Sequence, residues 1–322
     1  MTSNSATLAR SITWASSKQS YLTALLLADR DLVDDCLRAY AYFRWADDMI
    51  DIALPSAGER AAFIARQKAL IEKLYLHERP LNLSPEETML ADLIAHDRGA
   101  DGGLRSFIRN FMAVIEFDAH RRGRLISQRQ RTVYTTCLAT AVMDGLLYFI
   151  GNGHPYPRTP ERTLAVVGAH LTHMLRDTLE DLPLGFVNVP LEDIQAGGIR
   201  LETVESEPFR LWVQAQVEQA RACFREGKGY IDSLDVLRAR LAGVWYCARF
   251  ERILDAIERD GYRLRQEYPE RHCLAAWMEM IRLTLQVTLE QFSRQFQPAF
   301  FPLPHRVALD SNKMNIPSYH SK

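Results

Sequence analysis

The chain has 322 residues, 47% hydrophobic and 25% charged, enough apolar mass for one large core or two ordinary ones. Lys plus Arg number 39 and Asp plus Glu 40, so the net charge of −1 leaves no electrostatic footprint for nucleic acid or an anionic membrane. The five cysteines stand singly with no CxxC pair, which argues against a zinc site or a disulfide framework and for a reduced, cytoplasmic protein.

The N-terminal stretch MTSNSATLARSITWASS has no long apolar run and no cleavage-like pattern, so no signal peptide is expected. Helical periodicity then recurs over segments near 7–28, 31–52, 58–76, 85–96, 104–122, 129–150, 160–182, 207–233, 235–263 and 271–295, with no convincing alternating strand. SPEE at Ser84–Glu87 marks a helix start: Ser84 caps, Pro85 fits the first turn and Glu87 closes a capping box. TPER at Thr159–Arg162 predicts a second start of the same kind. No run reaches ~18 uninterrupted apolar residues, so no membrane-spanning helix is expected. The short runs YLTALLLA and GLLYFIG leave contact with a bilayer surface open. No Ser/Gly-rich linker or fixed-period repeat divides the chain. The expectation is one all-α domain over residues 1–295, then a polar, Pro-containing, poorly ordered tail over 296–322.

One stretch resists a purely structural reading. YAYFRWADDMID, Tyr40 to Asp51, starts as an apolar helix face and ends with Asp47, Asp48 and Asp51 within one turn. Asp47 and Asp51 fall at i and i+4 on the face that also carries Tyr40 and Arg44. Like charges at that spacing repel, and aspartate near a helix C-terminus opposes the dipole. A solvated acidic helix end would explain this motif taken alone. The pattern recurs, however, in HLTHMLRDTLED, His170 to Asp181, where Asp177 and Asp181 are again i and i+4 with Arg176 alongside and His173 one turn earlier.

If the two helices face each other, four carboxylates line one cavity. Clustered aspartates without cysteine suit a hard cation, Mg²⁺ above all, and Mg²⁺ is commonly completed by substrate phosphates. Arginines would meet the remaining phosphate oxygens. The chemistry implied is metal-assisted departure of a diphosphate, leaving a carbocation that needs a dry, aromatic-lined chamber. Tyr21, Tyr40, Phe43, Leu138, Ala141 and Tyr148 are candidates for that lining, against the plainer reading of each as ordinary core.

With these residues in view, the sequence resembles the squalene/phytoene synthase family of head-to-head prenyl-diphosphate synthases, from about Lys18 to about Leu264. KQSY (Lys18–Tyr21) is similar to the family's N-terminal serine-aromatic motif, and YAYFRWADDMID to its first aspartate-rich motif. FDAHRRGR (Phe117–Arg124) falls where an Asp-containing segment is expected. YTTCLATAVMDG (Tyr134–Gly145), LRDTLED (Leu175–Asp181) with VPLEDI after it, and FERILDAIERDGY (Phe250–Tyr262) follow in the family's order. The resemblance implies an all-α isoprenoid-synthase fold with a central cavity, binding two prenyl diphosphates such as farnesyl or geranylgeranyl diphosphate with Mg²⁺. It implies Mg²⁺ on Asp47, Asp51, Asp177 and Asp181, with Asp48 a weaker ligand, diphosphate on Arg44 and Arg176, and Tyr40 and Tyr134 at the reacting centre. No Gly-rich dinucleotide fingerprint marks an NADPH site, although this fold does not require one.

The sequence also departs from the pattern. Where the family has Gln-x-x-Asn, this chain has His170 and His173, which if protonated could bind a diphosphate oxygen. The family's Arg-rich flap is DLPLGFVNVP here (Asp181–Pro190), so that loop is expected to close more weakly. Phe250 stands where a tyrosine is expected, and Gln19 where a basic residue is expected. Besides head-to-head synthesis, a class I cyclase acting on one prenyl diphosphate and a non-catalytic assembly protein stay open.

Overall fold

One of the two helix starts foreseen in the sequence is made by the side chains that marked it. Ser84 accepts from the Glu87 backbone and Glu87 reaches back to Ser84, with Pro85 in the first turn. Ser56 with Glu59 and Ser127 with Gln130 close two further capping boxes. The computed structural model describes residues 2–97, 99, 102–271 and 273–296; the expected tail from 297 onward lies outside the described residues.

The described residues form an all-α fold. In chain order the helices are α1 (Thr2–Ser16), α2 (Lys18–Leu27), α3 (Val33–Asp48), α4 (Ala57–Tyr75), α5 (Pro85–Ala95), α6 (Gly103–Arg121), α7 (Gln128–Ile150), α8 (Leu164–Leu184), α9 (Leu191–Gly197), α10 (Glu207–Asp232), α11 (Leu237–Arg259) and α12 (Leu274–Phe296). Among the described residues the only β-type pairing is an isolated bridge between Arg124 and Phe186.

Four boundaries differ from the sequence reading. The segment near 7–28 is two helices, broken where Ser17 turns extended to cap α2. The segment near 31–52 stops being α-helical at Asp48 and continues as a π turn, Met49–Ala53, closed by Leu54 N–H to Met49 C=O. TPER makes a 3-10 turn, Pro160–Thr163, in which Thr159 places no side-chain cap. The short α9, too brief for a periodic signal, was not foreseen.

One large apolar cluster joins α3, α4, α5, α6 and α7 through residues such as Tyr42, Phe43, Leu90, Ile108 and Ala139. A second joins α8, α10 and α11 through Ala169, Phe209, Phe224 and Ile257. Half-buried Val167 and Tyr246 pack against both. α8 and α10 approach closely because Gly227 lacks a side chain: a Cβ there would sit 2.3 Å from the Ala165 nitrogen. Among the described residues one helix, α7, is long and apolar enough to cross a membrane, since polar residues interrupt its apolar run without lowering the average enough. It packs against α6 and α8 with Tyr134, Ala139, Ala141, Leu147 and Phe149 buried, which accounts for its apolar character as core.

Two features of this frame set up the site. α8 runs through Pro183 and ends at Gly185, whose φ of 86° is the left-handed conformation that glycine adopts without strain. Gly185 C=O then accepts from Gly123 N–H at 2.8 Å, clipping the loop after α8 to the loop after α6. α12, by contrast, packs its Ala276 and Val287 inward and turns Leu274, Trp277, Met278, Ile281, Leu285, Leu289 and Phe292 outward.

Candidate active site

The ends of α3, α6 and α8 and the start of α7 bring the charged residues together. Arg44, exposed on α3, donates to Asp48 through Nε at 3.2 Å and again through a guanidinium nitrogen, and lies 3.6 Å from Asp47. Asp48 is therefore held by an arginine. Tyr40, half-buried one turn earlier, lies within the electrostatic reach of Arg44. Asp47 has a side chain 37% exposed, and its carboxyl is pushed up to about 7 by burial, then by the charges of Asp51 and Asp118. Asp51 is also raised, by burial and then by Asp118.

Asp118, on α6, lies between the two acidic segments. Its carboxylate accepts from Tyr134 Oη at 3.0 Å and from Arg121 Nε at 2.6 Å. Burial still pushes its carboxyl up, although Arg121 and Tyr134 counter that. Tyr134, on α7, stacks on Phe117 with ring centroids 4.7 Å apart and is held well above the ordinary phenol range by burial and then Asp118. Arg121 Nη1 donates to Asn188 Oδ1 at 2.7 Å, and Asn188 Nδ2 donates to Asp181 Oδ2 at 2.8 Å. Asp181 is raised by burial and by Asp177, with the Asn188 bond opposing. Asp177 goes the other way: His173 Nε2 lies 2.7 Å from it and Arg176 donates to it, which outweighs burial and lowers its carboxyl.

A continuous chain of contacts and fields thus runs from Asp47 and Asp51 through Asp118, Tyr134 and Arg121 to Asp181 and Asp177. Asp118 and its partners lie between the two acidic segments. Among the described residues no three His, Cys, Asp or Glu side chains already converge as a ready metal-ligand set. The donor chemistry nonetheless fits a hard cation: the clustered groups are carboxylate oxygens, and Asp47, Asp51, Asp118 and Asp181 are all pushed up, by burial first and, for Asp47, Asp51 and Asp181, by neighbouring carboxylates as well.

Several sequence expectations are corrected. His170 is not a protonatable anion ligand: it is buried, set edge-on 5.1 Å from Tyr134, and burial pushes it down to about 3, so it is neutral. His173 bonds Asp177 and so acts on an expected ligand. Ala141 is fully buried core and lines no open space. Tyr21 packs against the small buried cluster of Ala9, Ala24, Leu37, Ala41 and Met89 and meets Trp14 edge-on at 5.2 Å, on the α1 side of the molecule. Leu138 is half-buried on α7. The loop after Asp181 is not left loose by its lack of basic residues, because Asn188, itself 3% exposed, ties it to Arg121 and Asp181. The sequence reading passed over Asp118, Arg121 and Asn188. FDAHRRGR held the first two in plain view, but only the packing shows which of its charges turn inward.

Comparison with known proteins places the chain in a family and a fold. The family model described as squalene/phytoene synthase matches residues 14–277. Phytoene synthase 2, chloroplastic, of Zea mays is 29% identical over 102 residues, which is 30% of this chain and spans 25% of that relative's length. The solved squalene synthase HpnC from Alicyclobacillus acidocaldarius superposes with a TM-score of 0.64 at 20% identity, covering 81% of this chain and 95% of the other. A dehydrosqualene synthase solved in complex with a ligand gives 0.63 at 15% identity, covering 90% and 97%.

Proposed function

Because the chain belongs to the squalene/phytoene synthase family, we propose that it is a Mg²⁺-dependent prenyltransferase that joins two prenyl diphosphates, farnesyl or geranylgeranyl, head to head with release of diphosphate. The observation that carries this reading is the gathering of Asp47, Asp51, Asp118 and Asp181 from three different helical segments, with Asp47 and Asp51 in the field of Asp118 and Asp181 tied through Asn188 to the Arg121 that holds Asp118. Carboxylates left so close without a counter-ion are costly, and a divalent cation with a diphosphate offsets that cost.

Asp47 and Asp51 on one side and Asp177 and Asp181 on the other are the residues that would hold Mg²⁺. Bound there, Mg²⁺ supplies charge neutralisation for the departing diphosphate. Arg44 and Arg176 lie beside these carboxylates and are placed to take up phosphate oxygens once the carboxylates turn to metal. Tyr134 keeps its proton under all ordinary conditions, so it orients Asp118 as a donor and presents its ring to developing positive charge. Phe117, stacked on it, extends that aromatic surface.

The outward apolar face of α12 favours a site of action against a lipid surface, suited to hydrocarbon products. The activity is tested by incubating purified protein with Mg²⁺ and farnesyl or geranylgeranyl diphosphate, with and without NADPH, and analysing the organic extract. A long linear hydrocarbon or a cyclopropyl diphosphate is the expected product. A cyclic product of unchanged carbon number would instead establish a one-substrate cyclase, and no diphosphate release from any chain length would refute both.

A further inference from the structure

The last turn of α6 carries two arginines that reach opposite ways. Arg122 donates to the main-chain oxygen of Asp51 at 3.3 Å, towards the first acidic segment. Arg121 turns to the second, bonded to Asn188 and lying in the field of Asp181. The loop between Asp181 and Pro190 has no Lys or Arg of its own. Its Phe186 ring nevertheless sits 5.1 Å from the Arg121 guanidinium carbon and 5.9 Å from that of Arg122. Positive charge beneath this loop therefore comes from α6, where a helix C-terminus favours it.

The Arg121 side chain is 10% exposed. Of its five N–H groups, Nε serves Asp118 and Nη1 serves Asn188, which leaves three without a protein acceptor. No Arg121 nitrogen is among the buried atoms of the described residues that are left without a partner, so these donors reach open space and stay available to a ligand. The Tyr134 ring carries Arg121 at 5.3 Å while its hydroxyl bonds Asp118, and Asn188 holds the guanidinium from the other acidic segment, so the remaining donors sit between the two segments.

We propose that Arg121 is the diphosphate anchor of this enzyme, a guanidinium delivered from α6 into the position the basic-free loop leaves unfilled, and that Asn188 is the positioning residue that holds it there. The proposal rests on the prenyl-diphosphate reading above and adds to it which residue grips the leaving group. Asn188 fixes the plane of the guanidinium, so the remaining N–H pair meets two phosphate oxygens together. The same bond couples anchor and metal side, because Asn188 also holds Asp181.

The test is calorimetric titration of inorganic pyrophosphate with Mg²⁺ into the full-length chain, alongside steady-state kinetics. Arg121→Gln is expected to weaken pyrophosphate about tenfold to a hundredfold. Asn188→Ala is expected to raise KM several-fold with a smaller fall in kcat, as loss of positioning requires. Because Arg121→Gln strips buried Asp118 of its cation and can unfold the chain, Arg121→Lys serves as the second variant. It keeps the charge, loses the planar fork and is expected to fall between wild type and Arg121→Gln. Adding Phe186→Arg to Arg121→Gln places a guanidinium against the same spot from the loop and is expected to restore most of the affinity. Wild-type pyrophosphate affinity in both Arg121→Lys and Asn188→Ala overturns the anchor. A wild-type enzyme that releases no diphosphate from any prenyl diphosphate overturns the activity instead, so the two failures are distinct.

Discussion

Tyr134 Oη lies 3.0 Å from Asp118 Oδ2, and that single bond joins α7 to α6 at the midpoint between the two aspartate-rich segments. Removing the hydroxyl while keeping the ring isolates its contribution. Tyr134→Phe is expected to retain the stack on Phe117 and the fold, and to slow diphosphate release about tenfold to a hundredfold, the worth of a bond to a charged acceptor. Pyrophosphate release at saturating substrate is the measurement, and an unchanged rate would leave the bond with a purely structural role.

Asp47 makes a pH-dependent prediction whose sign is fixed by its shift. A carboxyl raised from its ordinary value to about 7 is destabilising when ionised, so it lowers the stability of the metal-free fold as pH rises from about 4 through about 7. Exposure of a third of the side chain to solvent damps the effect without reversing it. Asp47→Asn is therefore expected to raise the Tm of metal-free protein at pH 8 and to leave it little changed at pH 4. The same variant is expected to lose most Mg²⁺-supported activity, while in the wild type Mg²⁺ affinity strengthens from pH 6 to pH 8.

Asp177 is already ionised under its partners His173 and Arg176, so its contribution is charge at any working pH. Asp177→Ala is expected to cost several orders of magnitude in turnover, with helical circular dichroism intact. Near-normal turnover would remove Asp177 from the metal assignment.

Glu87 offers a stability test away from the site. Its buried carboxylate takes a two-pronged contact from Arg66 at 2.8 and 2.7 Å, a bond from Gln67 at 2.9 Å and the Ser84 backbone N–H at 3.0 Å. Burial alone would raise it, but these partners win and hold it near 2. A depressed carboxyl stabilises the fold above its unfolded pKa, and that stability drains away as pH falls from about 4.5 towards about 2. Glu87→Ala is expected to cost about 1–3 kcal/mol at pH 7, because Gln67 and the cap are left unpartnered, and progressively less as pH drops. Denaturant unfolding at pH 7 and pH 3 measures both.

The outward face of α12 is tested with vesicles. Sedimentation with neutral phosphatidylcholine liposomes is expected to carry down the wild type and to spare a Trp277→Glu, Leu285→Glu double variant, since both side chains are more than half exposed. Equal sedimentation of the two proteins would refute the lipid-facing role of this helix.

Much was legible in the sequence because its signals are local. Ser84, Pro85 and Glu87 spell a helix start within four residues, and Asp177 and Asp181 stand one turn apart on α8 as their interval indicates. The order of motifs from Lys18 to Leu264 pointed to the family for the same reason. Two boundaries that the sequence reading missed were local in cause. Ser17 broke a helix that periodicity had joined, and the π turn after Asp48 moved Asp51 off the ideal register.

The sequence by itself determined an all-α chain with two aspartate pairs and the family they mark. Only the tertiary structure decided which charges share a centre and in what state. Asp118, Arg121 and Asn188 are unremarkable in their own segments, and His170 reads as an ordinary titrating imidazole. Their behaviour comes from groups brought near by folding, Asn188 onto Arg121 and Tyr134 onto both Asp118 and His170. Hydrogen bonds and burial act over a few ångströms of space, whatever the distance along the chain, and so the charge of a side chain is a property of the fold.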